Sequence, residues 1–199
     1  MNKVITISRE YGAGGHAIGK RVAQELGVEI YDKDIVRETV KASGYEAELV
    51  EREGEDVSKT GSFIKSICAG SAFYPNTQDA IHDVQQAVIL QFAQAGPCVI
   101  LGRCADEILR ATDIKALNVF VYADELHRAV RVRELTGVTD PAELQKMLAK
   151  KDASRRAYYT HYTGKRWGDC HNYDLSLDSG ALGVDLCVKL IVDAARSGE

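Results

Sequence analysis

Four glycines fall within eight residues of the stretch ITISREYGAGGHAIGKRV, residues 5–22, between an apolar run and a helical stripe of Ile18, Val22 and Leu26. A strand that turns through glycines into a helix gathers backbone N–H groups and the positive end of the helix dipole at one point. That is the chemistry of an anion site. Read as GxxxxGK[ST], the literal match is GGHAIGKR from Gly14, in which Arg21 replaces the magnesium-ligating Ser/Thr. This frame begins well beyond the strand, whereas a phosphate loop starts on the strand tip. The frame that starts there is REYGAGGH, residues 9–16, with Gly12, Ala13 and Gly14 at the turn. In it Gly15 stands where the lysine belongs and His16 where the hydroxyl belongs. The plain alternative is a glycine-rich strand–helix turn without a ligand, because lone glycine patterns carry little weight.

A second chemistry-bearing stretch, KKDASRRAYYTHYTGKRWGD at 150–169, concentrates Lys150, Lys151, Arg155, Arg156, Lys165 and Arg166 in a chain whose net charge is −4. Such local excess suggests a polyanion ligand. Neighbours on a helix point about 100° apart, so of Arg155 and Arg156 one contacts the ligand and the other supports it. Tyr158, Tyr159, Tyr162 and Trp167 are open to three readings: local packing, stacking on a base, or the subunit interface of a homodimer. The histidines of this region, His161 and His171, show no metal-ligand spacing. Five scattered cysteines without a CxxC pair suggest reduced thiols, with Cys98 and Cys187 in apolar runs as core residues.

The elements that must position these residues are five apolar, β-branched runs at 3–8, 28–31, 97–102, 116–123 and 173–178, separated by helical stretches. Near-continuous apolar strands imply a parallel sheet covered on both faces, a doubly wound α/β sandwich. Helices are expected at 15–26, from Thr77 to Gly96, at 127–134, and from an Asp140 cap with Pro141 in the first turn. Residues 43–76 are polar and weakly periodic, and short mobile helices are expected there. With 199 residues and no linker, the chain is expected to form a single domain, 1–199. No signal peptide and no membrane span is expected, so a cytoplasmic location is. The acidic balance argues against broad nucleic-acid binding.

Four segments carry a resemblance: ISREYGAGGHAIGKRVAQELG, IYDKDIV, VILGRCADEIL and RRAYYTHYTGKRWGDCHNYDLSLDSGALGVD. Together they resemble the cytidylate-kinase-like branch of the P-loop nucleoside monophosphate kinases. The resemblance implies a P-loop NTPase three-layer α/β/α sandwich with a five-stranded parallel sheet, a mobile acceptor-binding region at about 34–80 and an arginine-bearing helical lid at about 140–170. It implies an ATP- and Mg2+-dependent phosphotransferase acting on a small acceptor, with a nucleoside monophosphate such as CMP first in line. GAGG aligns with the GAGK of authentic cytidylate kinases, so the resemblance implies that Gly15 replaces the phosphate-contacting lysine, with Arg9, Lys20 or Arg21 as the candidate substitute charge. The donor-binding set is then Arg9, Gly12, Ala13, Gly14, Gly15, His16 and Lys20. Asp32, at a strand's carboxyl end, is the candidate base and magnesium ligand. Arg37 and Arg103 are candidates for the acceptor, Asp106 for the metal or for pairing Arg103, and Arg155 and Arg156 for catalytic charge stabilisation. Arg128 and Arg131 are candidates for lining the donor site. The lost lysine also leaves two alternatives open, a nucleotide-binding or sensory module without turnover and a kinase of a non-nucleotide acceptor.

Overall fold

In the computed structural model, which describes residues 4–54 and 77–197, β1 (Val4–Arg9) is buried from Val4 to Ser8 and runs through the middle of one sheet. It pairs in parallel with β3 (Cys98–Leu101) on one side and β4 (Ala116–Tyr122) on the other. β2 (Glu29–Tyr31) adds beyond β3 and β5 (Leu175–Asp178) beyond β4, giving the order β2-β3-β1-β4-β5, all parallel. Each strand lies within two residues of the run expected from the sequence. The chain leaves β1 towards β2 and later crosses from β3 back over β1 to β4. The carboxyl ends of β1 and β3 therefore flank the topological switch point, where ligands bind in open α/β sheets.

The period of two along the strands sorts two cores. Ile5, Ile7, Val99, Leu101, Val119 and Val121 face one way, against Ile18 and Val22 of α1 (Gly15–Leu26) and Cys187, Val188 and Ile191 of α8 (Ser179–Ser197). Val4, Cys98 and Ile100 face the other way, against Ile35 of α2 (Lys33–Ser43), Val88 and Ile89 of α4 (Thr77–Ala95) and Ile108 of α5 (Ala105–Arg110). Between these apolar groups Thr6 Oγ1 donates to Asn118 Oδ1 at 2.8 Å, which satisfies a buried polar pair across β1 and β4. Cys98 and Cys187 are buried as expected, and Cys98, Cys104, Cys170 and Cys187 are free thiols.

Two further helices follow β4. α6 (Glu125–Thr136) is capped by Asp124, whose carboxylate accepts from His127 N. α7 (Pro141–Thr163) begins as its sequence implies, with Asp140 accepting from Glu143 N and Pro141 in the first turn. Of the segment 43–76, α3 (Ala47–Gly54) is described, and 55–76 lie outside the described residues. Among the described residues no helix is long and apolar enough to cross a membrane. Ile18, fully buried between α1 and the sheet, tests this layering. Ile18→Ala should lower the unfolding free energy by about 2–5 kcal/mol in urea denaturation, while Gln24→Ala on the exposed face stays within about 0.5 kcal/mol.

Candidate active site

The glycine loop joins β1 to α1 as the strand-tip frame requires. Gly12 and Gly14 adopt φ of +83° and +81°, the left-handed region that side chains disfavour. A Cβ on Gly12 would also lie 2.8 Å from the Arg128 carbonyl, so α6 presses directly on the loop. The first intrahelical bond of α1 runs from Ile18 N to Gly14 O at 3.0 Å. The N–H groups of Gly15, His16 and Ala17 therefore have no carbonyl within the helix, as any helix start requires. The Ser179 hydroxyl sits between the carbonyls of Ala13 (2.6 Å) and Tyr122 (3.1 Å) and ties the loop to the start of α8. The Arg131 guanidinium lies against Gly14, with Nη1 2.0 Å from where a Cβ would stand. Arg9 is the last residue of β1, and its side chain runs past Gly15.

α7 closes over this loop. Asp152, 6% exposed, accepts from Tyr11 N at 2.8 Å through Oδ1 and pairs with Arg128 through Oδ2. Arg128 also approaches Glu10 Oε2 at 3.5 Å. Burial pushes the Glu10 carboxyl above its ordinary range, against the pull of Arg128. One turn along α7, Arg155 Nη1 donates to the Arg9 carbonyl at 3.0 Å and its guanidinium stands 5.9 Å from the centre of the Tyr11 ring. Arg156 is exposed. Of the adjacent pair, Arg155 is thus the one turned to the loop.

The turn after β3 forms the other wall. Gly102, Arg103 and Cys104 follow one another at φ of 68°, 58° and 56°, and the two residues with side chains are strained there. This turn tucks Arg103 inward until it is only 7% exposed, with Nε and Nη1 lacking hydrogen-bond partners. Arg103 lines a cleft of about 240 Å³ with Asp32, Lys33, Val36, Glu51, Lys151 and Arg155. Asp32 lies between β2 and α2, and its Oδ2 accepts from His16 Nδ1 at 2.9 Å, so the cleft and the glycine loop share an edge.

Several expected residues lie elsewhere. Arg37 is exposed and pairs with Asp34 at 2.7 Å and Glu38 at 3.3 Å, on the face of α2 next to the one that lines the cleft. Lys20 is exposed one turn beyond His16, and Arg21 pairs with Asp185. Asp106 does not pair with Arg103. It is 2% exposed and accepts from the Tyr159 hydroxyl at 2.8 Å, and burial pushes its carboxyl up to about 6. The aromatic residues of α7 resolve to packing. Tyr158, Tyr159 and Trp167 close over Phe120 and Tyr173, and Tyr162 stacks on His82 at 3.6 Å and donates to Asp79 at 3.1 Å.

Sequence reasoning missed Asp152, Lys33, Glu51 and Ser179. Asp152 lies one helical turn before Arg155, and Lys33 directly follows Asp32, so spacing alone offered a signal for those two. Glu51 belongs to a segment without a readable motif, and Ser179 directly follows the YDLSLD strand run, whose residues drew the reading instead.

The sequence model of the cytidylate kinase-like family matches residues 4–181. The chain belongs to that family. A cytidylate kinase from Methanococcus maripaludis (strain C5) is 27% identical over 154 residues, covering 67% of this chain and 86% of that protein. An uncharacterized protein from Eubacterium ventriosum superposes with a TM-score of 0.72 at 26% identity, covering 98% of this chain and 99% of that one. A shikimate kinase from Bacteroides thetaiotaomicron, at 16% identity and covering 98% and 99% of the two chains, gives a TM-score of 0.57. A gluconokinase from Sinorhizobium meliloti, at 14% identity over 98% and 96%, gives 0.56. These likenesses show the P-loop kinase sandwich expected from the sequence.

Within this family member Asp106 offers a direct titration test. Its folded pKa lies above the unfolded value of 3.8, so the folded state holds the proton more tightly between the two. Stability contributed by the protonated form is complete below about pH 4, falls as pH rises towards 6 and is flat above. Asp106→Asn keeps an acceptor for Tyr159 and removes the titration. Its stability relative to wild type should rise by on the order of 2 kcal/mol between pH 4 and pH 7 in denaturant titrations.

Proposed function

We propose that this cytidylate kinase-like protein transfers the γ-phosphoryl group of ATP to a small, phosphate-bearing acceptor, with CMP first among the nucleoside monophosphates. The observation that carries the proposal is Arg103. A guanidinium held 7% exposed with Nε and Nη1 unpartnered is costly in a folded protein unless an anion completes it. It stands at the tip of β3, beside the glycine loop, in a cleft that Lys33, Lys151 and Arg155 also line. A phosphate matches a guanidinium fork in a bidentate way. Asp32 and Glu51, on the same cleft, are acceptors for hydroxyl or amino groups of the acceptor's uncharged part.

The donor side fits ATP by its own chemistry. The N–H groups of Gly15, His16 and Ala17 have no carbonyl within α1, Arg131 lies against Gly14 and Arg9 runs past Gly15. A divalent cation bound with the nucleotide would neutralise charge on the donor phosphates. Magnesium prefers oxygen ligands, and the hydroxyl position of the loop holds the His16 imidazole instead. The Asp32 carboxylate is the group that fits the cation, through water. Asp32 also stands where it can take a proton from the acceptor. Arg155, on α7 above the loop, is the lid cation turned towards the transferred group, and Arg156 supports from the exposed face. Asp152 and Arg128 hold the lid closed, which keeps water from the transfer.

One observation favours a second reading: a glycine stands where the loop lysine belongs, so the chain is a nucleotide-binding module without turnover. A coupled assay for ADP across nucleoside monophosphates, paired with calorimetry of ATP binding, separates the two. The expected result is ADP formation fastest with CMP, and a loss of about 100-fold in kcat/KM for Arg103→Ala with the fold intact. ATP binding with no ADP formed from any acceptor supports the second reading. Turnover confined to a non-nucleotide phosphorylated acceptor would keep the phosphotransferase and replace CMP.

A further inference from the structure

We infer that Arg9 does the work of the missing loop lysine, reaching the donor phosphates from the end of the strand, and that residue 15 is glycine because Arg9 occupies its space. The inference rests on the phosphotransferase reading only for its site. Its geometry stands apart from the choice of acceptor.

Strand parity sets the direction. Ile5 and Ile7 point into the core beneath α1, and Arg9 follows at the same parity, so its side chain leaves the strand on the α1 side. At that level β3 has ended while Arg9 still pairs with Val121 of β4, and Gly15 at the start of α1 lies against the arginine side chain. A Cβ on Gly15 would be 2.6 Å from Arg9 Cβ, 2.7 Å from Cγ and 3.4 Å from Cδ. The first two distances are shorter than side-chain carbons tolerate, and the atoms involved are the root of the arginine. Its Cβ is fixed by the backbone of β1, so it has no rotamer that moves it aside. Gly14 is different: its neighbour is the tip of Arg131, a flexible end that can swing away.

At the end of β1, Arg9 is one of the residues that line the crevice where the strand tips meet α7, together with Ser8, Gly102, Arg103 and Arg155. Its backbone carbonyl is taken by Arg155 Nη1, which fixes the root of the side chain from the lid side. A lysine at position 15 approaches the donor phosphates from the helix. An arginine at position 9 approaches the same volume from the strand. The two cannot be present together without moving β1 or α1.

The test is a swap with four proteins: wild type, Arg9→Ala, Gly15→Lys, and the double variant. Turnover, ATP and ADP affinity by calorimetry, and thermal melting are measured on each. Arg9→Ala should lose about 100-fold in kcat with a smaller change in KM for the acceptor, as expected for a cation aimed at the transferring group. Gly15→Lys alone should be impaired although it introduces the lysine of authentic cytidylate kinases, and its melting temperature should fall. The double variant should regain at least about tenfold over Arg9→Ala, because the arginine's departure makes room for the lysine.

The inference is overturned if Arg9→Ala keeps turnover and nucleotide affinity within about threefold of wild type, or if Gly15→Lys is as active and stable as wild type. It is also overturned if a folded double variant is no better than Arg9→Ala. If wild type binds ATP without turnover, the phosphotransferase reading falls. The four affinities then decide the arginine's role on their own, with weaker binding in Arg9→Ala and recovery in the double variant supporting it. Wild type that binds no nucleotide overturns both.

Discussion

A single carboxylate couples the two halves of the site. Asp152 accepts from the Tyr11 N–H with one oxygen and from Arg128 with the other, at 6% exposure. Removing either partner would strand a buried charge, at a cost of about 3–5 kcal/mol. The glycine loop, α6 and α7 are therefore held in one arrangement. Arg155, one turn after Asp152 on the same helix, donates to the Arg9 carbonyl, so α7 holds the loop at two successive turns. The strained turn at Arg103 then closes beneath the same helix, with Tyr158, Tyr159 and Trp167 as its apolar ceiling. The glycine loop, α7 and the cleft are therefore contiguous, joined through Asp152 and Arg155.

Much of this was legible because the sheet is regular. Parallel strands buried on both faces announce themselves as apolar runs, and all five appear where those runs predict. The capped start of α7 and the loop frame starting at the strand tip followed from short-range chemistry in the same way. α8 was not assigned, although Cys187, Val188, Ile191, Val192 and Ala195 form a helical stripe. The preceding strand motif drew the reading, and the stripe begins only after the kink at Gly183.

The site was less legible, for a reason that Arg37 and Arg103 illustrate. Both are arginines near strand ends in segments that resemble the family. Which one turns inward depends on backbone dihedrals and helix rotation, which residue type does not encode. Arg37 sits one turn beyond Lys33, but its guanidinium is taken by the carboxylates of Asp34 and Glu38 on its own helix. Arg103 follows a glycine at φ 68° and enters the left-handed region itself, so its side chain is folded under the lid. Asp106 failed to reach Arg103 because the first turn of α5 points it at Tyr159, fifty-three positions away in the chain.

The charges of the site explain why its strain persists. Lys33, Arg103, Lys151 and Arg155 share one cleft with Asp32 and Glu51, in a chain whose net charge is −4. Elsewhere on the surface, cations such as Arg21, Lys41 and Lys189 are paired with carboxylates. At the cleft the balance is reversed, and Arg103 in addition sits in a left-handed turn that costs about 1–2 kcal/mol per residue. Two well-filled cores on either side of β1 supply the stability that such a turn draws on. An anion that completes Arg103 would bind the folded chain and not the unfolded one, so its binding and the turn's conformation are linked. Both oxygens of the Asp152 carboxylate are thus taken where the loop meets α7, whereas Arg103 Nε and Nη1 lack hydrogen-bond partners among the described residues.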